Sequence, residues 1–208
     1  MFANRRDAGR VLAEAIAARR FPAPVVLAIP RGGVVVGAEV ARQLQAPMDI
    51  VVPRKLRAPH HAELAIGAVN EAGDLFLAEE WVRRLNVSQA YLDREVEAQR
   101  EEIARRTGRY RGQRVPVDLT GKTAILVDDG VATGYTTRAA LAAARDRGAH
   151  TLVLAVPVAP TATLEALQHD ADAVICLETP FPFHAVGEFY TDFGEVSDAE
   201  VEAIMQGA

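Results

Sequence analysis

Three short apolar runs, residues 123–127, 152–158 and 173–177, are separated by helical patterns at 135–147 and 161–168. A run of this kind, apolar at consecutive positions rather than alternate ones, reads as a strand covered on both faces. Strands joined through helices must lie parallel, with right-handed crossovers. The spacing therefore predicts an α/β fold: an open, mainly parallel sheet with helices on both faces. Upstream, residues 25–29 and 48–52 read as two more strands. Residues 5–20 and 34–44 read as helices, the first with Val11, Leu12, Ala15 and Ile16 on one face. Residues 64–69 and 75–77 flank Glu71-Ala72-Gly73-Asp74, a hairpin signal. Residues 79–85 and 88–106 look helical, and the second, largely polar, is expected on the surface. Gly148 marks a helix stop, and Ser197 with Glu200 three residues on marks a last helix start over 197–205. The expected layout is one domain over 1–208. It has a core at about 24–178, an insert at about 55–115 and a C-terminal hood at about 179–208 that together form a small subdomain.

Composition narrows the function classes. The chain has 208 residues, half hydrophobic and a quarter charged, which excludes a disordered or disulfide-stapled chain. Its one cysteine, Cys176, permits no internal disulfide and points to a reducing compartment. The apolar runs are too short to span a bilayer, and MFANRRDAGR has no apolar signal core. A cytoplasmic protein with no membrane partner is expected. All 23 basic groups lie in residues 1–147, beside 18 acidic ones; residues 148–208 hold 10 acidic groups and no basic one. The acidic end disfavours nucleic acid. The basic side could hold a small polyanion, although most arginines, including Arg105, Arg106, Arg109, Arg111 and Arg114, read as solvated surface.

The most informative stretch is AILVDDGVATGYTT, residues 124–137. An apolar strand ends in Asp128 and Asp129. Gly130, Val131 and Ala132 follow, and Thr133, Gly134, Tyr135, Thr136 and Thr137 then open a helix. Ligands of open α/β sheets sit beyond the carboxyl ends of the strands. A helix N-terminus there offers free N–H groups and the positive end of the helix dipole. Three threonine hydroxyls add donors, so the turn suits a phosphate monoester. Two carboxylates beside a phosphate need something between them, and a ribose diol or a divalent metal supplies that.

The ordered pattern resembles the 5-phosphoribosyl-1-pyrophosphate (PRPP) signature of type I phosphoribosyltransferases. The resemblance implies transfer of 5-phosphoribosyl from Mg²⁺-PRPP to a nitrogen acceptor, a nucleobase or related heterocycle, with release of pyrophosphate. Asp128 and Asp129 would hold the ribose hydroxyls and, directly or through water, the Mg²⁺; the 130–137 turn would hold the 5-phosphate. Ala28-Ile29-Pro30-Arg31-Gly32-Gly33 is similar to the family's pyrophosphate loop, which often carries a strained or cis peptide. Pro53-Arg54-Lys55 resembles the Arg-Lys that reaches pyrophosphate in orotate-type members. These give Arg31, Gly32, Gly33, Arg54 and Lys55 as pyrophosphate ligands, with Asp128, Asp129, Arg31 and Lys55 as the catalytic set. Ala185-Val186-Gly187 and Asp192-Phe193 resemble the hood of hypoxanthine-type members, with one residue extra in the spacing, which weakens Asp192 as a metal neighbour. Phe183, Val186, Phe189 and Tyr190 either stack on an acceptor or close a small core. Ala132 stands where 6-oxopurine members place an acidic residue, which disfavours hypoxanthine and guanine. Dimers are common in such families. The alternative is a non-catalytic regulator sensing PRPP or a nucleotide on the same fold.

Other features read structurally. Gly121-Lys122-Thr123 is no Walker loop, since Pro116 stands where that motif needs glycine and a strand follows the triplet. His60 and His61 are adjacent and point apart, which suits no zinc site. Cys176 is expected on a buried strand, and Trp81 in core or interface.

Overall fold

The computed structural model describes residues 1–207, leaving out the side chains of 62 and 63. Five strands form the expected parallel sheet: β1 (Pro24–Ala28), β2 (Met48–Ile50), β6 (Thr123–Val127), β7 (Thr151–Val158) and β8 (Ala173–Glu178). Their order is β2-β1-β6-β7-β8, and every neighbouring pair is parallel. Helices α1 (Arg5–Ala17), α2 (Gly32–Leu44) and α7 (Asp198–Gln206) pack on one face. Helices α5 (Tyr135–Asp146) and α6 (Thr161–Leu167) pack on the other. Alternate residues feed the two layers: Val26, Ala28, Ile125 and Val127 join the first core, Val25, Leu27, Ala124 and Leu126 the second. A strand apolar at every position is thus needed on both sides.

Local signals set the helix ends. Asn4 caps α1 by accepting from the Asp7 amide, and Ser197 caps α7 by accepting from the Glu200 amide at 3.1 Å. Gly148, at φ +87°, follows α5 at the stop its sequence announced.

The insert holds a second sheet. The expected hairpin is a three-stranded antiparallel sheet, β3 (Arg54–Ala58), β4 (His61–Val69) and β5 (Leu75–Leu77), ordered β3-β4-β5. Arg54 and Lys55 therefore begin a new strand rather than end β2, which closes at Ile50. Helix α3 (Glu79–Arg84) follows, then α4 (Gln89–Arg111), which runs five residues beyond the expected end.

That extension overturns the solvated reading for Arg111, while Arg105, Arg109 and Arg114 are exposed as expected. Asp49 on β2 is buried and takes Arg111 Nε at 3.1 Å and Arg147 Nη2 at 2.6 Å. Burial raises the Asp49 pKa, but the two guanidiniums and the Ile50 amide outweigh it and hold the carboxyl below its ordinary value. Arg109 pairs with Asp198 at 2.6 Å and with Glu202, and Arg114 donates to the Met205 carbonyl. The acidic end of the sequence thus meets the basic end of α4, and much of the charge asymmetry is neutralised inside the molecule. Arg105 and Arg106 both pair with Glu102, holding its carboxyl down at about 2.

Candidate active site

The chain leaves β1 toward β2 on one side, while β6 adds on the other side of β1. The loops after β1 and β6 therefore diverge, and such a reversal of strand order opens a crevice at the carboxyl ends of the strands. The loop from β6 carries Asp128, Asp129 and the 130–134 turn into this crevice. The loop from β1 crosses it with Gly32 and Gly33, which explains the glycines: a Cβ on Gly32 would overlap the Asp129 carboxylate. One on Gly33 would meet the Val127 carbonyl oxygen at 2.8 Å and Asp128 Oδ1 at 2.9 Å.

The two acids differ in their partners. Asp129 Oδ2 accepts from Arg5 Nε at 2.7 Å, a pair with side chains only 15% and 12% exposed. Arg5 also donates to the Gly194 carbonyl at 2.7 Å and lies 3.8 Å from the centre of the Phe193 ring. The Tyr190 hydroxyl donates to the Asp129 carbonyl at 2.5 Å, and burial pushes its own pKa up. Burial also raises the Asp129 carboxyl, with Arg5 opposing the rise. Asp128 is raised further, by burial first and by the Asp129 charge second, and Lys55 is the cation that opposes it. Of these two largely buried carboxyls, only Asp129 holds a tight cation.

Next to them stands the open end of α5. Gly134 occupies its N-cap position at φ +81°, left-handed backbone that favours glycine, and no described residue caps the helix with a side chain. The Thr137 hydroxyl is buried, yet it has no hydrogen-bond partner among the described residues. A buried unmet hydroxyl costs about 1–3 kcal/mol, so this one invites a ligand oxygen.

Acids and turn line one cavity of about 770 Å³, from Asp128 continuously to Thr137. The opposite wall comes from the insert: Arg54, Lys55, Arg57, Leu64, Ala65 and Trp81. Arg54 Nε donates to the Gln99 amide oxygen at 2.9 Å, and burial with Arg106 nearby holds its pKa below the ordinary value.

A family model described as "Phosphoribosyl transferase domain" matches residues 4–192. The chain belongs to the phosphoribosyl transferase domain family. A Mycobacterium tuberculosis H37Rv protein named "Putative phosphoribosyl transferase Rv0571c" is 45% identical over all 208 residues. The chain spans about half the length of that relative, 47%. The crystal structure of TT1426 from Thermus thermophilus is 47% identical, with a TM-score of 0.83 over 99% of this chain and 98% of that one. A hypothetical protein from Neisseria gonorrhoeae, solved with bound ppGpp, shares the fold at 13% identity. Its TM-score is 0.52 over 98% of this chain and 92% of that one.

Not every residue expected at a phosphoribosyl transferase site lines this cavity, although Gly32 and Gly33 lie directly behind its acids. The described lining of the cavity does not include Arg31, Gly32 or Gly33. The peptide between Pro30 and Arg31 is cis. Arg31 reaches Glu195 at 2.6 Å and Asp198 at 3.7 Å, because the acidic segment before α7 gives the guanidinium a near counter-charge. Asp192 lines a separate cavity of about 270 Å³ with Asn4, Arg5 and Glu195, and accepts from the Gly194 amide. In the hood, Val186 lines the main cavity, while Phe183 and Phe189 stack on each other with centroids 5.1 Å apart. Tyr190 packs between Phe2 and Phe193, inside a small core rather than against a ligand. Cys176 is half-buried on β8, its thiol pushed up to about 11 by burial, and His60 and His61 are exposed.

Two participants carry no readable sequence signal. Arg5 lies 124 positions from the acid it holds. Trp81, expected in core or interface, is 37% exposed and faces the cavity. Among the described residues no three His, Cys, Asp or Glu gather as a metal cage, and no helix is long and apolar enough to cross a membrane.

Proposed function

We propose that this domain transfers the 5-phosphoribosyl group of PRPP to a nitrogen acceptor and releases pyrophosphate. The observation that carries the reading is the Thr137 hydroxyl: buried, partnerless among the described residues, and set at the uncapped end of α5 in the same cavity as the paired acids. A phosphate in the turn accepts from that hydroxyl and from the helix amides, and the ribose between phosphate and acids gives its hydroxyl protons to Asp128 and Asp129.

The donor set suits Mg²⁺ entering with its substrate, because that ion keeps waters and phosphate oxygens and asks the protein for one or two carboxylates. Asp128 would hold it best, since Arg5 already occupies Asp129; the ion would supply charge neutralisation on the leaving group. The C1–O bond breaks and its electron pair leaves with pyrophosphate, while the acceptor nitrogen forms the new bond to C1. Lys55 and Arg54 face the growing negative charge, so they stabilise the transition state more than the ground state. Asp128 and Asp129 lie on the side where the sugar becomes cationic.

Replacing both acids, Asp128→Asn with Asp129→Asn, removes two charge-assisted contacts. Calorimetry with Mg²⁺-PRPP should show at least about a 100-fold loss of affinity, with the native fold retained by circular dichroism although the thermal midpoint falls, since Arg5 loses its partner. Unchanged affinity would sink the proposal. Arg31, held by Glu195 and Asp198, favours a second reading in which PRPP binds as a signal without turnover. Pyrophosphate release in the presence of a panel of bases separates the two.

A further inference from the structure

The wall that the insert gives the cavity has its own chemistry. On β3, Lys55 and Arg57 face outward while Leu56 and Ala58 are buried. Arg57 pairs in register with Ala65 of β4. The Ala78 amide, at the start of α3, donates to the Ile66 carbonyl at 2.8 Å. This bond brings the first turn of α3, and with it Trp81, beside Ala65. Arg57, Leu64, Ala65 and Trp81 thus converge on one end of the cavity. The Arg84 guanidinium lies 5.2 Å from the indole centre.

Charge decides what fits there. Arg54, Lys55 and Arg57 form no ion pair among the described residues, whereas Asp129 is already matched by Arg5. Among the described lining residues three cations thus face two acids. Lys55, which faces Asp128, and Arg54 beside it are enough for a diphosphate. Arg57, two positions further along the strand, lines the cavity beyond them. An exposed indole and a guanidinium lining the same corner suit a flat ring that bears an anion.

Resting on the transferase reading above, we infer that this corner is the acceptor site and that the acceptor is a planar nitrogen heterocycle carrying a negative charge, its ring against Trp81 and its anionic group on Arg57. The ring nitrogen supplies the electron pair for the bond to C1. If that nitrogen carries a proton it passes to solvent, since Ala132 provides no base beside it.

The sequence contains one tryptophan, so its fluorescence reports on this corner alone. The protein, premixed with Mg²⁺ and PRPP, is titrated with pyridine and pyrimidine carboxylates and with neutral purines and pyrimidines. At least one carboxylate should change the Trp81 emission saturably, and neutral bases should not. Arg57→Gln should weaken that ligand about tenfold while calorimetry shows PRPP affinity unchanged. Trp81→Ala should raise the KM for the same acceptor without moving the KM for PRPP. The inference is overturned if neutral bases bind as well as charged ones, if no compound perturbs the emission, or if Arg57→Gln weakens PRPP instead. Failure of PRPP itself to bind would be seen first, in the calorimetry, and would remove the transferase reading rather than the assignment of this corner alone.

Discussion

Two turns in this molecule have the same ingredients and opposite fates. The loop after β1 and the loop after β6 both leave adjacent parallel strands, pass through glycine and open a helix. In the first the protein answers its own chemistry: the glycines lie against the acid pair, and Arg31 is held by Glu195 and Asp198. Neither helix start is capped by a side chain, but in the second turn the buried Thr137 hydroxyl has no described partner. A helix N-terminus is thus no site by itself; what marks this one is an unmet polar group in the same cavity as the acids.

The comparison can be broken most forcefully at Arg5. Arg5→Met strands Asp129 without its cation, and loss of one partner of a buried pair costs about 3–5 kcal/mol. The acid can escape by taking a proton. The variant's deficit in denaturant unfolding should therefore be largest at pH 8 and shrink toward pH 5. A deficit independent of pH would mean the pair is not what positions the acid. Gly32→Ala should come next, at about 1–3 kcal/mol, because the new methyl overlaps the Asp129 carboxylate and the filled turn cannot yield. Ribose 5-phosphate affinity should drop with it.

Thr137→Val sharpens the contrast from the other side. It removes a hydroxyl the apo protein does not satisfy, so stability should hold or rise by about 1 kcal/mol, while phosphate affinity falls about tenfold. A parallel loss of both would show that the hydroxyl is already bonded in solution. The smallest effect is expected from Arg31→Gln. Its closest partner, Glu195, is largely exposed, and such pairs contribute at most about 1 kcal/mol. A thermal midpoint within a few degrees of wild type is the expected result; a large drop would make the first turn as dependent on its ion pairs as Asp129 is on Arg5.

The sheet was legible because its strands are apolar on both faces: Thr123–Val127 is buried at every position. Strand β3 was not, since Arg54-Lys55-Leu56-Arg57-Ala58 buries two residues of five and looks like a basic loop. The acid pair and the threonine turn were readable because they are contiguous. Arg5, Arg111 and Trp81 were not, because each acquires its role from a segment brought to it by the fold. The acidic C-terminal stretch illustrates the same limit: its composition was plain, but its destination against Arg109 and Arg31 was not.

The knot at Asp49 bears on how the cleft opens. One carboxylate moors the last turn of α4 and the end of α5 to the edge of the main sheet. Helix α4 in turn lies along β3, where its Gln99 and Glu95 hold Arg54 and the Arg57 amide. The wall that carries Arg57 and the indole is therefore tied through α4 to the sheet. Cutting the mooring with Asp49→Ala should loosen the far side of the cleft without touching a single described residue that lines it.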